Sequence, residues 1–428
     1  MMKTIFKQTY KQLKEQPIIS IVSIAGTALS LFLIMLVVMI QQVKVAPFSP
    51  ESNRDRMLHV KFGSLSTKDG ETNSPLSLHA IDAIYKNMKT PEAVTAYTYF
   101  PTREPLSANG SKSFTANVKL TDAAFWHVFD FKYIYGKPYN EANFKAGIPL
   151  AVISRSTAIK LFNTTGDVTG RTFRLKYITY KVAAVVSDVS SLATMSYSQI
   201  WIPYTTDQET CNMVWYNAMG MFSTTILMHS PKDEAKVHAE ALANLNKYNL
   251  TIKDSGNKLV NRNRPYNTEK ESINFAANLE PDLSAEHRTE LIVFVILLIV
   301  PAVNLSSMTH SRLRQRISEI GIRRAFGCTR WSILSQIITE NMIVTLCAGA
   351  LGFIMSIACG FIFTDSLLTP AYSFSYDNGP MVNISILIHI STFFYALAFC
   401  FVLNLLSTSI PAWQACKNSI INDLNGKR

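Results

Sequence analysis

Histidine and cysteine are the residue types with which this chain could bind a metal or catalyse a reaction, and their spacing supports neither role. Six histidines are scattered through the polar middle of the chain, with no pair four residues apart: His59, His79, His127, His229, His238 and His287. No G-x-S-x-G, H-E-x-x-H or G-x-x-x-x-G-K-S/T motif occurs, so the local signatures of serine hydrolases, zinc proteases and P-loop ATPases are missing. We therefore expect no catalytic, cofactor-binding or metal-binding residue.

The cysteines and the net charge exclude two further classes. Only Cys211 lies in the polar middle, and the other five cysteines lie in or beside apolar runs, so neither a disulfide framework nor a zinc spacing is available. The formal charge of +11 raises the question of nucleic acid, but no basic run carries interleaved aromatic residues. We expect no nucleic-acid partner.

Long apolar runs indicate a membrane protein. Hydrophobic residues make up 48% of the chain and charged residues only 17%, and charge-free stretches suited to a ~30 Å hydrocarbon core recur. Four transmembrane α-helices are predicted, three of them in residues 291–428: Pro17–Val43, Leu291–Ser311, Asn341–Thr364 and one within Gly379–Cys416. The first could be a cleaved signal peptide, but it is longer than an h-region and has no clear A-x-A site.

Flanking charges give the orientation. Lysines precede the first span, arginines fill the loop 312–330 between the second and third spans, and the segment after the fourth span is basic. The short loop between the third and fourth spans carries only Asp365 and Asp377. By the positive-inside rule both termini are cytoplasmic. Residues 1–16 then form a cytoplasmic amphipathic helix, and residues 44–290 form one large extracytoplasmic domain, here called the outer domain.

The outer domain is predicted to be an α+β domain in two parts. A β-α-β part combines Met57–Phe62, the helix Ser77–Met88 and Ala93–Phe100, and a second strand–helix pair follows at Phe222–His229 and Lys232–Tyr248. A β-rich insert lies between them, with these elements: Ser113–Leu120, Pro149–Ser154, the helix Ser156–Phe162, a hairpin of Arg171–Tyr177 and Tyr180–Ser187, and Gln199–Tyr204. Leu250–Arg288 is polar and is predicted to be only partly ordered.

Two spans carry a stripe of small side chains. In the third span the residues Ala348, Gly352, Ser356 and Gly360 recur every four positions, and in the first span Ser23, Thr27 and Ser30 share one face. Such stripes let another helix approach closely, so we expect these residues to pack helices together. No charged residue lies near the centre of a span, which argues against an ion-coupled path.

The loop between the second and third spans has an ordered pattern. Residues 316–331 read R-I-S-E-I-G-I-R-R-A-F-G-C-T-R-W. Apolar residues recur at helical spacing, Gly327 suits a helix C-terminus, and Thr329 suits the N-cap of the next helix. The arginines have two interpretations that are compatible: they keep the loop in the cytoplasm, or they contact a partner.

The run E-I-G-I-R-R-A-F-G at residues 319–327 resembles an element of FtsX-like and MacB-type ABC transporter permeases. Thr329, Arg330, Trp331 and Glu340 fit the same pattern, and Cys328 departs from it, since alanine is frequent there. Short segments of the outer domain resemble a MacB-type periplasmic core: F-W-H-V-F at 125–129, G-K-P-Y at 136–139, A-I-K-L-F at 158–162, G-R at 170–171 and V-A-A-V-V at 182–186.

The resemblance implies a permease subunit in a bacterial inner membrane that dimerises with itself or a second permease. Only 16 residues precede the first span, so a separate ATPase subunit is expected, in two copies, and a periplasmic partner fits the architecture. ATP-driven motion would reach the outer domain and export or extract an unknown substrate. The ATPase-coupling helix would comprise Arg316, Ser318, Glu319, Ile320, Gly321, Ile322, Arg323, Arg324, Phe326 and Gly327. The alternative is a membrane-anchored sensor or adaptor without ATPase coupling.

Overall fold

A computed structural model describes residues 17–108, 113–315, 322, 325–362, 394–395, 398 and 401–402. The chain divides into two compact units. One contains the long apolar helices before Val43 and after Leu283, and the other comprises Val43–Leu283. The predicted amphipathic helix of residues 1–16 and most of the predicted fourth span lie outside the described residues, so the count of four spans stays a prediction.

Three long helices make up most of the described part of the first unit. They are α1 (Pro17–Val45), α9 (Leu283–Gln315) and α10 (Arg330–Ile362). Within α1 and α10, the segments Ile24–Gln42 and Trp331–Gly360 are long and apolar enough to cross a membrane. The predicted second span, Leu291–Ser311, lies inside α9. A span has to be helical because the hydrocarbon core offers its backbone no other hydrogen-bond partner.

The second unit is built from short strands with short helices between them. The strands are β1 (Met57–Val60), β2 (Gly63–Thr67), β3 (Gly70–Ser74), β4 (Ala93–Thr98), β5 (Thr102–Ser107), β6 (Phe114–Thr121), β7 (Tyr133–Gly136), β8 (Leu150–Ser154), β9 (Thr172–Leu175), β10 (Ile178–Val186), β11 (Ile200–Pro203), β12 (Phe222–Leu227), β13 (Lys258–Val260) and β14 (Tyr266–Asn267). The α-helices are α2 (Leu78–Ile81), α3 (Phe125–Val128), α4 (Glu141–Lys145), α5 (Arg155–Phe162), α6 (Gln208–Cys211), α7 (Glu234–Thr251) and α8 (Thr268–Ser272). A π-turn, Asp82–Lys86, extends α2, and 3₁₀ turns occupy Arg54–Arg56, Tyr204–Thr206, Pro231–Asp233 and Lys253–Ser255.

Six strands of the insert close into a small barrel. Going round it, β6 pairs with β5, β5 with β9, β9 with β10, β10 with β8, and β8 with β11. The ring is completed because β11 also pairs with β6, in parallel, from Ile200 opposite Val118 to Pro203 opposite Thr121. Closure removes the free edges that an open sheet of these strands would expose.

The remaining strands extend the same sheet beyond the barrel. β4 and β1 lie on either side of β12, and both pair antiparallel with it, while β14 lies outside β1. The predicted β-α-β strands therefore have β12 between them. Three strands that the sequence pattern did not predict, β13, β2 and β3, form a separate small sheet.

Two apolar clusters lie on opposite faces of the sheet. Along β4, Ala96 belongs to one cluster and its neighbour Tyr97 to the other, as expected when successive side chains point to opposite faces. The first cluster includes Ile81 of α2 and Val237 of α7. In α7 the buried face runs through residues three and four apart, from Val237 to Tyr248. Leu242 lies off this face and is 43% exposed, although helical spacing with an apolar side chain predicts it to face inward.

The segment after Leu250 is more structured than predicted. It forms β13, β14 and α8, and it buries Arg264, Tyr266 and Glu271. The sequence pattern did not reveal these elements because they are only two to five residues long. Such short elements have no visible periodicity, and polar contacts to distant residues hold them.

Candidate functional site

The stripe of small residues in α10 packs against α1. A Cβ atom added at Gly352 would lie 2.8 Å from the carbonyl oxygen of Ala28 and 3.0 Å from the backbone nitrogen of Phe32. Ala348 is fully buried in the same contact, in a cluster with Ala28 and Leu31. The two backbones can approach this closely because glycine has no side chain.

The hydroxyl groups of the two stripes leave room for this contact. Ser30 donates to the carbonyl of Gly26 at 3.0 Å, and Ser356 donates to that of Phe353 at 2.8 Å, so both stay within their own helix. The Thr27 hydroxyl is buried and has no hydrogen-bond partner among the described residues. Gly360 is buried. The side chain of Ser23 lies outside the described residues, and its packing role stays a prediction.

The loop before α10 ends in a sharp turn. Phe326 donates its backbone N–H to Ile322, the last helical hydrogen bond seen there, and Gly327 follows with φ of +90°. That conformation favours glycine because a Cβ atom would clash with the backbone. The Thr329 hydroxyl accepts from the Ser332 N–H at 3.3 Å and caps α10.

Large apolar side chains on this turn face outward. Phe326 is 89% exposed, Trp331 is 72% exposed and Ile322 is 48% exposed. The other predicted members of the coupling helix lie outside the described residues: Arg316, Ser318, Glu319, Ile320, Gly321, Arg323 and Arg324. Their role stays a prediction.

A buried ion pair fixes the segment that leads into the outer domain, residues 44–54. The Arg54 guanidinium donates to Glu51 at 2.7 and 2.9 Å, and to the carbonyl of Ala46 at 3.1 Å. The other carboxylate oxygen of Glu51 accepts from the backbone of Met195 and of Ser196, each at 3.0 Å. This pair joins the lead-in segment to a loop about 140 residues further along the chain.

The electrostatics of this pair stabilise its charged form. Burial opposes ionisation of Glu51, but the charge and hydrogen bonds of Arg54 outweigh it and hold the pKa of Glu51 below its usual value. Burial also lowers the pKa of His59 to about 4. His59 is therefore neutral at pH 7, and its ring nitrogens hydrogen-bond the hydroxyls of Thr225 and Thr268 at 3.0 and 3.2 Å.

The backbone of Arg54 also contacts the return segment, residues 261–282, which leads back to α9. The Thr268 hydroxyl donates to the backbone carbonyl of Arg54 at 2.9 Å. In addition, Tyr266 and Asn267 of β14 pair with His59 and Leu58 of β1. The lead-in and return segments are therefore bound to each other at one place in the outer domain.

A second buried charged cluster lies in the return segment. Glu271 is 3% exposed, and Asn274 donates to one of its oxygens at 3.0 Å. Burial raises the pKa of Glu271 to about 7, although Lys61 opposes this. Burial likewise lowers the pKa of Lys61, with Glu271 opposing. The Nε and Nη1 atoms of Arg264 are buried without partners among the described residues.

The sequence pattern did not indicate these charged residues. Glu51 and Arg54 follow Pro50 in a short connecting segment, and Glu271 lies in a polar stretch. The one available signal was the spacing of Glu51 and Arg54, three residues apart, which lets opposite charges meet on a helical turn. No group of three or more His, Cys, Asp or Glu able to hold a metal ion occurs in the described part of the chain.

Long apolar helices flanking a large separate domain define the class: a membrane protein that carries a large domain outside its membrane helices. The chain belongs to the family of the MacB-like periplasmic core domain, whose model matches residues 20–243, and residues 291–420 match the FtsX-like permease C-terminal domain.

Curated relatives with similar sequences are exporters. A "Probable export ATP-binding/permease protein" from Pseudomonas fluorescens is 23% identical over 71% of this chain and 43% of its own length. A "Macrolide export ATP-binding/permease protein MacB" from Burkholderia cenocepacia is 24% identical over 61% of this chain and 36% of its own length. The chain thus spans less than half the length of these relatives.

Among solved structures, the periplasmic region of MacB from Actinobacillus actinomycetemcomitans aligns with a TM-score of 0.33 and 17% identity. The alignment covers 47% of this chain and 89% of that structure.

Proposed function

We propose that this chain is the permease subunit of an ABC transporter complex. A separate ATPase subunit drives it, and the motion passes to the outer domain for export or extraction of a substrate. The family membership supports this role, and so do the two relatives above, whose names combine ATP binding with a permease.

The observation that carries the proposal is the turn before α10. Phe326, 89% exposed, lies directly before the left-handed Gly327, and Ile322 is exposed one helical turn earlier. An exposed apolar group beside a helix end fits a groove on a partner protein. The neighbouring arginines add charge that an acidic groove would attract.

Co-purification tests the coupling. The full chain is expressed with the products of its neighbouring genes, and any complex with an ABC ATPase is isolated from the membrane. The chain carrying Ile320→Asp, Arg323→Asp and Phe326→Asp together should lose the ATPase, because a carboxylate buried at an apolar contact is costly. Phe275→Asp is the matched control, since Phe275 is an exposed phenylalanine of the outer domain, and it should leave the association intact.

Unchanged association and ATPase stimulation in the triple variant would refute the coupling role. Failure of the unaltered chain to hold any ATPase would favour the membrane-anchored sensor or adaptor instead.

The proposal includes a topology and a stoichiometry. Both termini are cytoplasmic in an inner membrane, residues 44–290 are extracytoplasmic, and two permease chains pair with two ATPase copies. A reporter fused at Ser255, which is exposed, should read as outside, and a cytoplasmic signal would contradict the topology. The mass of the purified complex tests the stoichiometry and distinguishes a homodimer from a heterodimer.

The lead-in and return segments can transmit the ATP-driven motion from the membrane helices to the outer domain. Covalent connection makes them the two paths from α1 and α9 into the outer domain, and both are bound at Arg54. We infer that movement of either helix reaches the outer domain at this point.

A further inference from the structure

A cavity of about 230 Å³ opens at one end of the six-stranded barrel, beside the turn between β9 and β10. Its floor is apolar and buried, with Val118, Leu120, Leu175 and Ile202 each at most 4% exposed. Barrel mouths with an apolar lining and a few polar groups are frequent binding sites for small molecules.

The rim of this cavity is charged. Glu104, Asp207 and Glu209 supply three carboxylates, and Lys176 supplies one ammonium group. The Lys176 Nζ atom lies 3.3 Å from Glu104 and 3.5 Å from Asp207. Burial opposes the charged form of Lys176, but Asp207 and Glu104 outweigh it and raise its pKa. By formal charge the rim carries three carboxylates against one ammonium group.

The aromatic ring of Tyr177 lies at the opening of the cavity. Tyr177 follows Lys176 in the two-residue turn and is 92% exposed, whereas Tyr180, further along β10, is buried in the cavity wall. The face of an exposed aromatic ring attracts organic cations. An apolar floor, a negative rim and an available ring face together favour one kind of ligand.

We propose that this barrel mouth binds a compact organic cation, an apolar body carrying a protonated amine. The body lies on the floor formed by Leu120 and Ile202, and the amine reaches the carboxylates of Glu104 and Asp207, where it competes with Lys176. A water molecule takes about 30 Å³ of liquid volume, so a cavity of about 230 Å³ suits a ligand of roughly eight non-hydrogen atoms. The cation site does not depend on ATPase coupling. Refutation of the proposed permease function would therefore not refute the cation site.

Three probes of one skeleton test the charge preference: 2-phenylethylamine, 2-phenylethanol and 3-phenylpropionate. Binding to the full chain in lipid nanodiscs is measured by equilibrium dialysis, with empty nanodiscs subtracted because the probes partition into lipid. The protonated amine should bind saturably. The alcohol should bind at least about tenfold more weakly, because only the amine forms charge-assisted hydrogen bonds.

Two substitutions with opposite effects locate the site. Glu104→Gln should weaken amine binding about tenfold. Lys176→Met should strengthen it several-fold, because the internal competitor is removed and both carboxylates become available. A gain in affinity cannot come from misfolding. Lys145→Met is the matched control, since Lys145 is an exposed lysine paired with Glu141 at 3.3 Å elsewhere in the domain, and it should change nothing.

Saturable amine binding that responds to both substitutions supports the proposal. It is overturned if none of the probes binds above the empty nanodisc, if the alcohol binds as tightly as the amine, or if Lys176→Met leaves amine affinity unchanged.

Discussion

Replacing Glu271 with glutamine should make the stability of the outer domain less dependent on pH. In the folded protein the pKa of Glu271 is about 7, because burial outweighs the attraction of Lys61, and its ordinary value is 4.5. The protonated carboxyl is therefore the stable buried form. The stability that it contributes is fully present below pH 4.5 and is lost as pH rises to about 7.

The size of this effect follows from the two pKa values. A tenfold difference in proton affinity is worth about 1.4 kcal/mol, so ionising Glu271 in the folded state costs about 3 kcal/mol. Glutamine has the shape of the protonated acid and never ionises. Glu271→Gln should therefore raise the free energy of unfolding by about 3 kcal/mol at pH 8, and by under about 1 kcal/mol at pH 5.

Urea unfolding of the full chain in nanodiscs, followed by pulse proteolysis of the outer domain, measures this difference at both pH values. Other groups titrate in both proteins, so their contributions cancel in the comparison. Glu141→Gln is the control, because Glu141 is an exposed glutamate paired with Lys145, and it should show no such trend. An equal effect of Glu271→Gln at pH 5 and pH 8 would refute the reasoning.

Three further outcomes follow from close contacts within the protein. Gly352→Leu should lower the thermal unfolding midpoint of the membrane helices, by the equivalent of about 1–3 kcal/mol, because its side chain meets the α1 backbone; an unchanged midpoint would contradict close packing there. Arg54→Met should cost about 3–5 kcal/mol in urea unfolding by leaving Glu51 charged and buried. Adding Glu51→Gln should recover part of that loss, and simple additivity of the two losses would count against the pair. Gly136→Ala should lower expression of folded protein, because Gly136 has φ of +71° and the new Cβ atom would meet the carbonyl oxygen of Ala183; normal yields would show that the backbone at the end of β7 can adjust.

Local patterns predicted most of the barrel strands. β8 and β9 fall within the predicted ranges, whereas β10 begins two residues and the helix α5 one residue earlier than predicted. Ser154, which was not predicted as a cap, caps α5 by accepting from the Thr157 N–H. β5 was missed, because T-R-E-P-L-S contains a proline and little alternation. Closure of the barrel was not predictable from pattern, since it depends on β11 pairing with β6, about 80 residues earlier.

In the candidate site too, local features were predictable from the sequence and features that depend on distant segments were not. The glycine stop and the Thr329 cap depend on residues within one turn of each other, so the local sequence sufficed. The small-residue stripe of α10 was visible in the sequence, but its partner backbone at Ala28 was not. The Glu51–Arg54 pair and the buried Glu271 depend on burial by distant segments, and no local pattern reports that.

The joining of the lead-in and return segments at Arg54 has a consequence for the evolution of such proteins. Because β14 lies beside β1 and Thr268 bonds to the Arg54 carbonyl, the chain leaves the outer domain close to where it came in. A domain with adjacent ends can be inserted into a host chain without stretching it. Residues 46–280 therefore have the form of an interchangeable cassette, and a chimaera that exchanges them with another permease of the family needs only two short junctions to match.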